Sequence, residues 1–285
     1  MSENYVLSLI ICTKNRADQL KLCLEAVNKI HSQAAWQLVI VNNGSSDNTS
    51  QIVEAFIKDT SIPVLSLMEL KPGSSAAKNT GWRAVSSEYL AFIDDDCYPA
   101  NNFIDSIINI FKNKSALGFI GGKVLLFDKT DLPITIQTYD QSIGFSPYSS
   151  ISTGKIHGAN FAFRRSALEE ANGFDIRFGA GRKYPCEDVD AMAEVLRLGW
   201  EGIYDPSAVV FHHHNRKLQS EADKLMRGYD KGRGAFYAKR VLRPNSFKIY
   251  FNIWLRNIKW QPFSVTMREL MGACEFWKDN LFKIK

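Results

Sequence analysis

The chain has 285 residues, 45% hydrophobic and 23% charged, with a formal net charge of +5. That length buries a sizeable core as one large domain, or as one domain with an appendage. No low-complexity tract or internal repeat appears, no apolar run approaches the roughly 18–20 residues that span a bilayer, and five scattered cysteines without a C-x-x-C pair argue against a disulfide framework or zinc ribbon and for a reducing compartment.

The opening "MSENYVLSLIICTKNR" carries neither a basic n-region nor a small-residue cleavage site, so no secretory leader is expected. Charge is unevenly placed. Residues 216–285 hold 16 lysines and arginines against 6 acidic residues, leaving 19 against 24 for residues 1–215. A mildly acidic body therefore carries a strongly basic tail, which implies an anionic partner or a solvated helical face.

"VLSLIIC" (6–12), "QLVIV" (37–41), "IPVLSLM" (62–68) and "YLAFID" (89–94) read as strands rich in Val, Ile and Leu. Between the first two, Leu20, Cys23, Leu24 and Val27 share one helical face. After the second, "SSDNT" offers N-caps and Ile52, Val53, Phe56 and Ile57 continue as another. Near-continuous apolar strands alternating with helices predict a parallel sheet covered on both faces, whose ligands bind at the carboxyl ends of the strands. "TKNR", "NNGSSD" and "DDD" each follow a strand, so all three converge on one edge.

Further on, "LGFIGGKVLLFD" (117–128) and "HGANFAFRR" (157–165) read as strands, and 129–156 as a polar excursion. "EDVDAMAEVLRLGW" (187–200) sets Val189, Met192, Val195 and Leu196 on one helical face. "GIYDPSAVVFHHH" is a strand running into His212, His213 and His214, and beyond residue 215 the pattern becomes basic, aromatic-rich helix.

Asp94, Asp95 and Asp96 close an apolar strand, where unpaired like charges are costly to bury. Either the run is a solvated turn or a cation sits on it. On an extended strand end Asp94 and Asp96 point the same way, a pair suited to a hard divalent ion, with Asp95 turned oppositely. The histidines sit at another strand end, as a surface run or as metal ligands. Glu187, Asp188 and Asp190 open a helix, where negative charge also suits the dipole.

Taken in order, these segments resemble the family 2 glycosyltransferases, which have the GT-A fold. "SLIICTKNRADQLKLCLEAV" looks like that family's opening nucleotide-binding strand, loop and helix, and "VIVNNGSSDNTS" like its second-strand motif. "AAKNTGWRAVSSEYLAFIDDD" resembles the segment leading into its D-x-D motif, and "HGANFAFRRSALEEANGFD" and "CEDVDAMAEVLRLGW" its acceptor-side and ED motifs. The resemblance covers about residues 5–215 and fades in the tail.

It implies a mostly parallel α/β sheet flanked by helices, with a GT-A catalytic domain over 1–215 (donor half about 1–100, acceptor half about 101–215) and a basic helical extension over 216–285. It implies an inverting transfer of sugar from a nucleotide-sugar donor to an acceptor hydroxyl, on a glycan or lipid-linked glycan. Mn2+ or Mg2+ would be held by Asp96 with Asp94, which could instead reach the donor's ribose, and completed by His212 or, as the alternative on the same strand face, His214. Of the ED pair, Glu187 and Asp188, the second would be the general base. Thr13, Asn15, Arg16 and Asn43 would line the base and ribose pocket with Asp95, and Arg16 or Lys78 would pair with phosphate. Two departures stand out. Asn42 and Asn43 replace an aspartate-led motif, and Lys78 replaces an arginine, keeping charge but losing its bidentate fork.

Two other readings remain open. A sugar-nucleotidyltransferase has a related sheet but usually a glycine-rich loop after its first strand, and "CTKNRAD" has none. A non-catalytic descendant binding a glycan or partner would have no need of Asp94, Asp96, Asp188 and His212 together. The basic tail fits an anionic membrane surface, placing the protein in the cytoplasm and on the inner face of the membrane. Its apolar positions fit equally well against the catalytic body or a second subunit. No nucleic-acid recognition motif accompanies the charge.

Overall fold

The computed structural model describes residues 4–281. The first half alternates strands and helices as the apolar pattern requires. β1 (Leu7–Thr13), β2 (Trp36–Asn42), β3 (Val64–Met68) and β4 (Tyr89–Asp94) pair in parallel in the order β3-β2-β1-β4. Successive β1 side chains point to opposite faces. Leu7, Leu9 and Ile11 pack with Leu20, Leu24 and Val27 of α1 (Ala17–Val27), whereas Ile10 packs on the other face with Ala77 and Trp82 of α3 (Ser74–Arg83). Gly81 makes the second packing possible, because a Cβ there would lie 2.8 Å from Ile10. α2 (Thr49–Asp59) departs from the expected face: Val53 is buried, but Ile57 is exposed.

The second half extends the sheet with mixed polarity. β8 (Asn160–Arg164) is antiparallel to both β4 and β6 (Leu117–Leu126), and β9 (Glu201–His212) runs parallel to β6. A three-residue strand, β5 (Cys97–Pro99), pairs antiparallel with the end of β9, and β7 (Ile143–Phe145) pairs with its start. α4 (Phe103–Asn113) backs the sheet through Phe103, Ile104, Ile107, Ile108 and Phe111, and α5 (Arg165–Glu170) follows β8. α6 (Glu187–Arg197) buries Val189, Met192, Val195 and Leu196, the stripe that the spacing predicts.

The tail forms α7 (Gln219–Arg240), α8 (Phe247–Trp260) and α9 (Phe263–Leu281). Its inner face joins the main core: Phe236, Tyr237, Tyr250, Trp254 and Phe276 belong to the cluster that contains Ile10, Phe92 and Phe161. Ion pairs fasten it to α6. Lys239 lies 2.5 Å from Asp190 and 2.7 Å from Asp175, and the fully buried Arg240 lies 2.5 Å from Asp190 and 2.6 Å from Glu194. Among the described residues no helix is long and apolar enough to cross a membrane.

Candidate active site

The loops after β1, β2 and β4 meet at the carboxyl edge of the sheet, and β5, α3 and α6 close around them. β4 ends at Asp94, and Asp95 and Asp96 form a tight turn into β5 rather than an extended strand end. The turn nevertheless separates their side chains. Asp95 accepts a hydrogen bond from Thr13 Oγ1 at 2.7 Å and an ion pair from Arg16 Nη1 at 3.3 Å. Asp96 takes Arg16 Nη2 at 2.6 Å on one oxygen and faces His212 Nε2 at 3.4 Å with the other. The register Cys97↔His212 is the reason, since it sets the residue before β5 against the last residue of β9.

Ligand atoms of Asp94, Asp96, Cys97 and His212 all lie within 4.8 Å of one another. Two carboxylates and an imidazole suit Mn2+ or Mg2+. Burial drives the Cys97 thiol well above its ordinary pKa, so it stays protonated and directs its S–H toward Asp96 Oδ1. Burial also raises Asp94, opposed by the Lys78 charge and reinforced by Asp96. Asp96 goes the other way: despite its burial, His212 and Arg16 hold it below the usual carboxylate range. The donor set thus fits a hard divalent cation, with Arg16 as the positive charge beside it here.

His214 is placed differently from the expectation. Its Nδ1 accepts the Arg216 N–H at 3.0 Å, and its Nε2 reaches the Leu132 carbonyl at 3.1 Å. A backbone donor on Nδ1 and a carbonyl acceptor on Nε2 fix the neutral tautomer and leave no lone pair for a metal. Its ring packs edge-on to His212 at 5.1 Å.

The residues expected around the nucleotide divide similarly. Thr13 and Arg16 face the aspartates. Asn15, at φ 53°, ties two loops together, its Oδ1 accepting the Ser46 N–H at 2.7 Å and its own N–H donating to Ser45 Oγ at 2.9 Å. Asn43 is a loop clamp rather than an available base contact. Its amide donates to the Glu69 and Lys71 carbonyls, each at 2.8 Å, and its oxygen accepts the Gly73 N–H at 2.9 Å. An aspartate could not donate those two bonds, which accounts for the asparagine at this position.

Lys78 also differs from its expected role. It is buried, and its Nζ lies 2.6 Å from Glu187 Oε1, which Ser74 Oγ also reaches at 2.8 Å. Burial would raise Glu187, yet the Lys78 charge and hydrogen bond hold it down. Its neighbour behaves oppositely: burial and then the Glu187 charge push Asp188 up to about 7. Two adjacent carboxyls thus have pKa values driven apart, one compensated by a lysine and the other raised. The turn that positions them is strained, because Cys186, the residue capping α6, sits at φ 99°. Gly158 supplies the room opposite, since a Cβ there would lie 3.0 Å from Asp188 Oδ2.

Sequence reasoning overlooked Ser74, Cys97 and Tyr229. Ser74 and Cys97 lay beside motif residues, but nothing in the chain pattern distinguished them. Tyr229, on α7, lies in a segment where no motif operates. Burial, followed by the Asp188 and Asp94 charges, raises its phenol, so the tail contributes a side chain to the surroundings of the acidic centre.

Solved structures share this architecture. The mannosyltransferase PcManGT from Pyrobaculum calidifontis, in complex with GDP-Man and Mn2+, aligns over 100% of this chain and 89% of its own with a TM-score of 0.64 at 14% identity. S. aureus TarS 1-349 in complex with UDP-GlcNAc aligns over 95% and 80%, with a TM-score of 0.66 at 13% identity. The fold is therefore that of the GT-A glycosyltransferases. The family model for glycosyl transferase family 2 matches residues 8–171, and the chain belongs to that family. Curated relatives include glycosyltransferase AglE of Haloferax volcanii, 27% identical over 59% of this chain and 55% of its own. Another is the poly-beta-1,6-N-acetyl-D-glucosamine synthase of Staphylococcus epidermidis, 28% identical over 71% and 48%. The chain spans about half the length of these relatives.

Proposed function

We propose that the chain is an inverting glycosyltransferase that moves a sugar from a nucleotide-sugar donor to an acceptor hydroxyl, on a glycan or a lipid-linked glycan, with a divalent cation at Asp94, Asp96 and His212. The observation that carries this reading is the convergence of Asp94, Asp96 and His212, whose ligand atoms lie within 4.8 Å of one another, at the edge where α6 brings Asp188 beside the Glu187–Lys78 pair. Bound there, Mn2+ or Mg2+ would supply Lewis-acid stabilisation to the departing diphosphate.

The chain's own groups perform the rest. Asp188 takes the proton from the acceptor hydroxyl as that oxygen bonds to the anomeric carbon. The bond from that carbon to the diphosphate oxygen breaks, the nucleoside diphosphate leaves with its electron pair, and displacement from the opposite side inverts the configuration. Glu187 and Lys78 hold the start of α6 in place, and the Thr13–Asp95–Arg16 group orders the loop under the nucleotide. Residues 1–215 form the catalytic unit, working on the cytoplasmic face of a membrane.

Thermal melts with uridine, guanosine, thymidine, adenosine and cytidine diphosphates, each with and without Mn2+, test the donor site. A ligand at about 100 times its dissociation constant stabilises by about 2.7 kcal/mol. Metal-dependent stabilisation by one nucleotide supports the reading and selects the sugar nucleotides to assay, with GDP-Man and UDP-GlcNAc as starting points because PcManGT and TarS have been seen with them. No shift with any combination removes it.

A further inference from the structure

The inner face of the tail is accounted for by packing on the body, but its outer face is not. On α8, Phe247, Phe251 and Leu255 recur every four residues as an exposed stripe; on α9, Phe263, Met267, Leu270 and Met271 form a second. Where the two helices meet, α8 ends on Trp260, 87% exposed, and α9 begins on Phe263, 78% exposed. Scattered exposed apolar residues are ordinary, whereas this many large apolar side chains exposed along two consecutive helices point to an interaction surface.

Charge identifies what fits it. Residues 241–268 contain no aspartate or glutamate and five basic residues, Arg243, Lys248, Arg256, Lys259 and Arg268. Of these, Arg243, Lys248, Arg256 and Lys259 are exposed around the apolar stripe. Arg268 instead turns inward to Asp230 at 2.8 Å. A two-fold contact between two copies would bring this face against itself and oppose like charges. An anionic bilayer satisfies both components, taking aromatic rings at headgroup depth and lysine and arginine at the phosphates.

The position of the patch relative to the site gives it a purpose. Trp277 reaches the Ala238 carbonyl at 3.1 Å and Arg268 pairs with Asp230, so α9 begins beside the middle of α7 and follows it in the same direction. That middle section adjoins the acidic centre: Gly232 packs against Pro185, two residues before Glu187, and Tyr229 lies in the field of Asp188. The Trp260–Phe263 corner is therefore at the site end of the tail.

We infer that the α8–α9 corner is a docking surface for an anionic lipid bilayer, which sets the candidate site beside acceptors carried on lipid. The choice of acceptor rests on the glycosyl-transfer reading; the docking itself does not. Sedimentation of the full chain with phosphatidylcholine vesicles, with or without about 30% phosphatidylglycerol, tests it at about 0.1 M and about 0.5 M NaCl. Wild-type protein is expected to sediment with the anionic vesicles and to be released by salt. Trp260→Glu with Phe263→Glu, and separately Lys248→Glu with Lys259→Glu, are expected to weaken that partition at least about tenfold.

Both double variants alter exposed side chains, and an unchanged nucleotide-dependent melt confirms that they fold. Wild-type protein remaining in the supernatant at low salt, or variants that sediment equally well, would overturn the inference. So would a wild-type dimer in sedimentation velocity that Trp260→Glu with Phe263→Glu dissociates without any vesicle binding; the patch then belongs to a second copy. Vesicle binding without nucleotide stabilisation would instead leave the docking surface standing and remove the transferase reading.

Discussion

Lys78 Nζ and Glu187 Oε1 lie 2.6 Å apart in a buried pair, and the next residue, Asp188, forms no ion pair among the described residues. One lysine thereby gives two neighbouring carboxylates opposite shifts. Asp188→Asn is nearly isosteric and should lower transfer about a thousandfold, while leaving nucleoside diphosphate stabilisation intact. Glu187→Gln should act through folding, costing about 3 kcal/mol because a buried ammonium loses its partner. Melts and turnover measured side by side separate the two, and equal turnover loss with equal destabilisation would contradict the division.

The pH profile follows from the same pair. A base must be ionised, and Asp188 is neutral below about 7. Transfer should therefore fall as pH drops through that region and level off above it. A nearby divalent cation favours the carboxylate and moves the acid limb lower. Profiles of kcat/KM at limiting and saturating Mn2+ should show that displacement, and a limb insensitive to metal would assign it to another group.

Gly158→Ala should crowd Asp188 before anything else, since the three atoms nearest its Cβ would all belong to that residue, Oδ2 first at 3.0 Å. The expected result is a drop in kcat with little change in Tm. Unchanged turnover would mean that the carboxylate moves aside without cost.

Arg16 occupies the negative field of Asp95 and Asp96 that a metal would share. Arg16→Ala should tighten Mn2+ binding in an electron paramagnetic resonance titration while weakening nucleoside diphosphate binding. Weaker Mn2+ binding would mean that the guanidinium organises the site more than it competes.

Acid should loosen the tail first. Burial would raise Glu194, but the Arg197 hydrogen bond and the Arg240 charge hold it at about 2. A depressed folded value contributes stability above the ordinary carboxylate pKa of about 4, and that contribution disappears as pH falls through the folded value. Tm should decline between about pH 5 and about pH 2, and less steeply in Glu194→Gln. Parallel slopes would remove Glu194 as a contributor.

Much of this was legible in the chain. Strands with alternate residues buried on two faces read as unbroken apolar runs, so β1, β2 and β4 and their polar ends were evident. The D-x-D, ED and histidine segments lay at element boundaries, where chemistry concentrates in such sheets. Partners were not legible. Lys78 and Glu187 are 109 positions apart and meet only through the fold. His212 and His214 are equivalent by spacing, and only the loop carbonyl of Leu132 and the backbone N–H of Arg216 distinguish them. The basic tail left a membrane surface and packing on the body equally open, because composition cannot tell an inward arginine from an outward one, and Arg240 is fully buried.

That buried arginine has a mechanical consequence. Arg240 and Lys239 grip Asp190, two residues along the helix from Asp188, which would accept the proton. With no flexible spacer between this grip and the α8–α9 corner beyond the short turn at 241–246, the tail behaves as a strut. Whatever plane the corner settles on, the height and tilt of Asp188 above that plane are set by the fold, so the reach of the site into its surroundings is a fixed length.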